Sequence, residues 1–195
     1  RKHGRNSGIQ PWSDRHITWG SVLWTGDLPV RGTVPPWPTG TSMRTAQATF
    51  EVSDWRYHHW FDGLAMLHKF AFAAGRVAYA NRYLRSQSYL EATATGRISR
   101  GEFATDPCRT LFQRVATWFS PKLTDNCNVS VNKLAGEVVA YTETRIPIRF
   151  DPDTLNTLGG YGYDERIKGP VSTAHPHLDH ARGRHYTYVL EFGRR

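Results

Sequence analysis

Apolar and polar residues alternate with a period of two over several short stretches of this chain, the pattern of half-buried strands. The clearest pair is a hairpin. Residues 64–72 are mostly apolar, Ala73-Ala74-Gly75 supplies a short loop, and residues 76–84 return with Val77, Tyr79 and Tyr83 in alternation. Further on, residues 128–133 alternate, Leu134-Ala135-Gly136-Glu137 turns, residues 138–144 run back and residues 146–150 extend the pattern. Asp151-Pro152-Asp153-Thr154 places proline at the second position of a turn. Thr49-Phe50-Glu51-Val52 reads as a short strand, Asp62-Gly63 as a turn, and residues 185–192 as a last strand with Tyr186, Tyr188 and Leu190 alternating. One stretch has helical spacing instead. Leu111, Phe112, Val115, Trp118 and Phe119 follow Asp106-Pro107, an N-cap and first-turn proline, and predict a helix over residues 107–119. Residues 89–99 are mixed, with a break at Gly96, and residues 1–48, rich in Gly, Pro and Trp, read as an irregular lead-in. Short strands, tight turns and one helix predict a mainly β fold: propeller, sandwich or barrel.

Composition narrows this only modestly. At 195 residues the chain has enough length for one substantial core. Lys and Arg total 25 against 17 Asp and Glu, a net charge of +8, but the basic residues are scattered and describe a solvated surface. No groove-reading motif accompanies them, so nucleic acid is not an expected partner. Seven Trp, nine Tyr and nine Phe suit sheets and apolar pockets. The two cysteines, Cys108 and Cys127, provide neither a disulfide framework nor a cysteine zinc site, which fits a reduced, cytoplasmic compartment. No apolar run reaches the ~20 residues of a membrane span.

The candidate chemistry lies near the C-terminal end, in Thr173-Ala174-His175-Pro176-His177-Leu178-Asp179. Pro176 stiffens the segment, and in extended backbone His175 and His177 share a face unless the chain bends. Two imidazoles on a stiff segment suit either a turn or a metal ligand. His58, His59 and His68 repeat no zinc spacing and read as structural, and Asp62 reads as a cap for backbone groups.

Several stretches, in order over about residues 50–179, resemble the carotenoid cleavage oxygenase family, which includes β-carotene and apocarotenoid oxygenases, stilbene-cleaving dioxygenases and the visual-cycle retinoid isomerase. They begin with His59-Trp60-Phe61-Asp62-Gly63-Leu64-Ala65-Met66-Leu67-His68-Lys69-Phe70 and Asn81-Arg82-Tyr83-Leu84-Arg85-Ser86. Next come Gly101-Glu102-Phe103, Asp106-Pro107-Cys108, Thr124-Asp125-Asn126 and Tyr141-Thr142-Glu143-Thr144. Phe150-Asp151-Pro152-Asp153-Thr154-Leu155 and Ala174-His175-Pro176-His177 complete the set. Ala46-Gln47 departs from the family's usual Gly-Pro.

The resemblance implies a mainly β chain that is the N-terminal portion of a single seven-bladed β-propeller domain, with a short helical cap element. It implies Fe(II) on the propeller axis, held by four histidines and no carboxylate. His175 is then an iron ligand facing that axis, His177 a packing neighbour, and Glu143 a carboxylate that orients another ligand histidine. None of the histidines before Glu143 matches a ligand context, which places the other three ligands beyond residue 195. The implied activity is dioxygenase cleavage of a conjugated C=C bond in a carotenoid, apocarotenoid or stilbene-like substrate, with peripheral membrane contact to collect it. The alternative is an incomplete, inactive propeller fragment that acts at most as a binding or structural module.

Overall fold

The computed structural model describes residues 24–107, 123–163, 166 and 168–191. The chain runs through β1 (Trp24–Asp27), β2 (Gly40–Thr49), β3 (Glu51–Val52), β4 (Trp55–Arg56), β5 (Leu64–Ala73), β6 (Arg76–Tyr83) and α1 (Gln87–Thr95). It continues with β7 (Ser130–Leu134), β8 (Glu137–Tyr141), β9 (Ile148–Phe150) and β10 (Thr157–Gly160), then β11 (Val171–Ser172), β12 (His177–Asp179), β13 (Arg184–Tyr186) and β14 (Val189–Leu190). Two four-stranded antiparallel sheets dominate, ordered β1-β6-β5-β2 and β10-β9-β8-β7. Strands β2 and β7 lie against one another and join the sheets.

Both predicted hairpins form, and for the same local reason. Each turns through an Ala-Gly pair with positive φ at both positions, Ala74 (48°) and Gly75 (75°) in one, Ala135 (49°) and Gly136 (90°) in the other. Backbone twist of that hand matches the twist of the flanking strands. The first hairpin also explains its own apolar density. Leu64 and Met66 point into one core cluster with Val52, Tyr57, Tyr83, Tyr89 and Ala92. Ala65 and Leu67 point the other way, into a second cluster with Leu84, Cys127, Ala140, Ile148 and Phe150. A strand buried on both faces reads as a continuous apolar run.

Three expectations are corrected. The lead-in of residues 1–48 contains β1 and most of β2, because the hairpin offers two free edges. Strand β2 takes the β5 edge with Gly40 opposite Phe72 and Thr49 opposite Leu64, and β1 takes the β6 edge. The mixed stretch of residues 89–99 is largely helix. The Ser86 side chain accepts from Tyr89 N–H at its N-terminus, and Gly96 closes it in the left-handed region at φ 65°. The last strand is two, β13 and β14, each paired with a different partner. The helix expected over residues 107–119 lies, apart from residue 107, outside the described residues.

Candidate functional site

The structure brings the two sequence-predicted site residues onto neighbouring segments. Thr144 bridges Val171, and Ser172 N–H donates to the Glu143 carbonyl at 2.9 Å, so the chain carrying Glu143 runs beside the chain leading to His175. Ala174 is 2% exposed and packs on Val139 and Tyr141, while its carbonyl accepts from the Ser130 hydroxyl. His175 N–H donates to Thr173 Oγ1 at 3.0 Å. The backbone of the histidine turn is therefore seated on β7 and β8.

The side chains are freer than the backbone. His175, His177 and Glu143 are exposed. The chain bends at Ala174 and His175 before β12 begins at His177, so the extended segment with both imidazoles on one face is not what forms. His177 pairs in register with Tyr186 and belongs to the strand, whereas His175 stands on the bend. Among the described residues, the His175 ring has no hydrogen-bond partner, which leaves both ring nitrogens available. The resemblance implies that His175 faces the propeller axis; in this chain its side chain is exposed.

Beneath this turn lies a tyrosine group. Tyr141 is buried and its phenol is pushed above the usual range, first by burial and then by Tyr163 and Tyr161 nearby. Arg145 lies over the Tyr163 ring, 5.9 Å from its centroid.

The other described histidines with assigned contacts are structural, as their spacing implies. His68 Nδ1 is hydrogen-bonded to Tyr79 Oη at 2.5 Å, and burial, followed by the Arg44 charge, holds its pKa down. His59 Nδ1 accepts from Phe61 N–H at 3.2 Å and caps the short 3-10 turn Trp60–Asp62. No group of three or more His, Cys, Asp or Glu suited to a metal occurs among the described residues. Among the described residues the His175 imidazole thus stands apart from other metal-binding groups, and its residue type and open nitrogens fit an iron ligand.

Several of the recognisable motif residues build a polar junction between the two sheets. Asp62 is fully buried and accepts Ala104 N–H at 3.2 Å and the Thr105 hydroxyl at 2.6 Å. Asn126 Nδ2 donates to the Asp62 and Gly63 carbonyls at 3.2 and 3.0 Å, while its Oδ1 accepts Ala65 N–H at 2.9 Å. Asn128 Nδ2 donates to the Phe61 carbonyl at 2.7 Å. Asp125 accepts the first amides of α1, Gln87 N–H at 2.6 Å and Ser88 N–H at 2.8 Å. Glu102, which accepts the Thr124 hydroxyl at 2.7 Å, is pushed up to about 8, first by burial and then by nearby Asp62 and Asp125, against the opposing Thr124 hydrogen bond.

In front of this junction is a feature the sequence did not disclose. Trp60, Phe61 and Phe103 are 65%, 46% and 71% exposed and form one patch with His59. The Phe61 and Phe103 rings meet edge to face with centroids 5.7 Å apart, and His59 lies 4.8 Å from Phe61 and 5.3 Å from Phe103. A cleft of about 440 Å³, lined by Phe50, Arg56, Tyr57, His58, His59 and Trp60, adjoins it. A contiguous exposed aromatic patch marks a contact surface.

Comparison with known proteins agrees with this arrangement. Residues 22–195 match the Retinal pigment epithelial membrane protein family. β,β-Carotene 15,15'-dioxygenase of Mus musculus is 37% identical over 159 residues, which cover 78% of this chain and 28% of that protein. Carotenoid isomerooxygenase of Galleria mellonella is 36% identical over 155 residues, covering 76% of this chain and 30% of that protein. Among solved structures, cobalt-substituted apocarotenoid oxygenase of Synechocystis superposes with a TM-score of 0.67 at 27% identity, over 86% of this chain and 36% of that one. The chain thus spans less than a third of these curated relatives. Its mainly β sheets are part of a β-propeller. The chain belongs to the Retinal pigment epithelial membrane protein family, and its relatives there include carotenoid-cleaving oxygenases.

Proposed function

We propose that the protein carrying this chain is a non-haem Fe(II) dioxygenase. It uses dioxygen to cleave a conjugated C=C bond of a carotenoid, apocarotenoid or stilbene-like molecule into two carbonyl products. The observation that carries this reading is the His175 turn, seated on β7 and β8 beside the Glu143 segment, in a chain 37% identical to a carotene dioxygenase.

His175 is the residue of this chain that would hold iron, and iron when bound supplies the oxygen-activating chemistry. A neutral imidazole leaves the metal's positive charge undiminished, unlike a carboxylate. Pro176 and the buried Ala174 fix the backbone on either side of the ligand, so its direction is set before a metal arrives. Glu143, exposed and one strand away, is positioned to accept the N–H of a further histidine and so fix its tautomer.

The substrate is long, flat and apolar, and the Trp60-Phe61-Phe103 patch offers rings for it to lie against. Such a molecule partitions into membranes, and the scattered basic residues are compatible with contact at an anionic surface. No helix among the described residues is long and apolar enough to cross a membrane.

The full-length protein should contain one iron per chain and convert β-carotene or an apocarotenoid to carbonyl products only with dioxygen present. Iron content by atomic absorption and product analysis by mass spectrometry test this. Absence of cleavage with iron bound overturns it.

A further inference from the structure

The segments carrying Phe61 and Phe103 are tied together by a buried carboxyl group. Asp62, 0% exposed, follows Phe61 in the chain, and its two side-chain oxygens both lie 3.2 Å from the amide of Ala104, the residue after Phe103. Its Oδ2 also accepts the Thr105 hydroxyl at 2.6 Å, and Thr105 Oγ1 in turn accepts His58 N–H at 2.7 Å. Thus a single side chain fixes the backbone on both sides of the Phe61–Phe103 contact, although 42 residues separate Asp62 from Ala104. On the other side, Asn128 holds the Phe61 carbonyl.

The geometry points to Asp62 as a positioning residue for substrate: with Thr105, it sets the separation and tilt of the Phe61 and Phe103 rings that receive the polyene. This rests on the assignment of the patch as the substrate surface. Asp62 itself does not touch substrate, being buried. Fixing the two rings fixes where along a polyene the chain is gripped, and therefore which double bond is presented for cleavage. A buried carboxyl group serves this purpose well because it accepts several hydrogen bonds in defined directions, and losing one leaves a buried donor unpaired.

The test uses the full-length protein with β-carotene in detergent micelles. Asp62→Ala and Thr105→Val should raise KM roughly five- to tenfold with kcat within about twofold, and should broaden the distribution of cleavage products. Asp62→Asn, which retains an acceptor oxygen, should recover much of the wild-type KM. Thr105→Val removes a single hydroxyl and carries the test if Asp62→Ala does not fold. Unchanged KM and product distribution in both Asp62→Ala and Thr105→Val overturn the proposal, as does a parallel loss of activity and melting temperature with no change in KM. Phe61→Leu and Phe103→Leu separate the two readings. If these leave KM untouched while the wild type cleaves β-carotene, the patch is not the substrate surface, and the role of Asp62 falls with it. If the wild type cleaves no polyene, the oxygenase reading itself has failed.

Discussion

The polar junction around Asp62 and the turn around His175 are built in opposite ways. At the junction, buried Asp62, Asp125 and Asn126 each satisfy several backbone or hydroxyl groups from distant segments, and their side chains have no freedom to serve another partner. At the turn, the backbone is anchored through Ala174 and Ser172 while the His175, His177 and Glu143 side chains stand in solvent. The difference separates residues that hold the fold from residues available for chemistry. A polar side chain consumed by internal hydrogen bonds contributes to stability, whereas an exposed imidazole on an anchored backbone is free to take a ligand.

The largest effect that would sharpen this contrast is functional. His175→Ala in the full-length protein should remove cleavage activity, by at least about a thousandfold, while changing stability by no more than ~0.5 kcal/mol, as for other exposed positions. Activity assays paired with denaturant unfolding check it. Retained activity would break the comparison at its functional end. Asn126→Ala should do the converse. It strips partners from the Asp62 and Gly63 carbonyls and Ala65 N–H in a dry site, and should cost about 3 kcal/mol by chemical denaturation. Glu143→Gln should lower iron affinity roughly 10- to 100-fold with little change in folding, read by metal titration against a chelator.

A smaller effect concerns pH. The Glu102 pKa is raised in the folded chain from 4.5 to about 8, so folding favours its protonated form. Its contribution is fully present below about pH 4.5 and is lost as pH rises through about 8. Glu102→Gln should flatten that part of the stability profile measured by urea unfolding between pH 5 and 8. The smallest change is expected from His177→Ala, whose exposed side chain should leave both iron content and stability within error, in contrast to His175→Ala.

Much of the fold was legible because it is local. The alternation over residues 64–84 and 130–150 and the Ala-Gly turns specify two hairpins without reference to the rest of the chain, and the ordered motifs specify the family. That Asp62 serves a backbone amide was also readable, but not that this amide is Ala104 N–H, 42 residues away. What failed in the reading was non-local. Strand β2, with few apolar residues in GTSMRTAQAT, is a strand because β5 presents it an edge. Helix α1 has a weakly apolar sequence, and besides its local Ser86 cap its first amides are taken by Asp125, 37 residues away from Ser88.

Sequence alone determined the hairpins and the family, because each depends on residues adjacent in the chain or on an ordered set of motifs; His175 as iron ligand is proposed from the same motifs. Only the tertiary structure decided that the Thr124-Asp125-Asn126 motif is a junction, that His175 and His177 part company at a bend, and that Phe61 and Phe103 form one surface. Those outcomes depend on directional hydrogen bonds and ring contacts between segments tens of residues apart. Neither period nor spacing along the chain encodes which distant partner will satisfy a buried polar group.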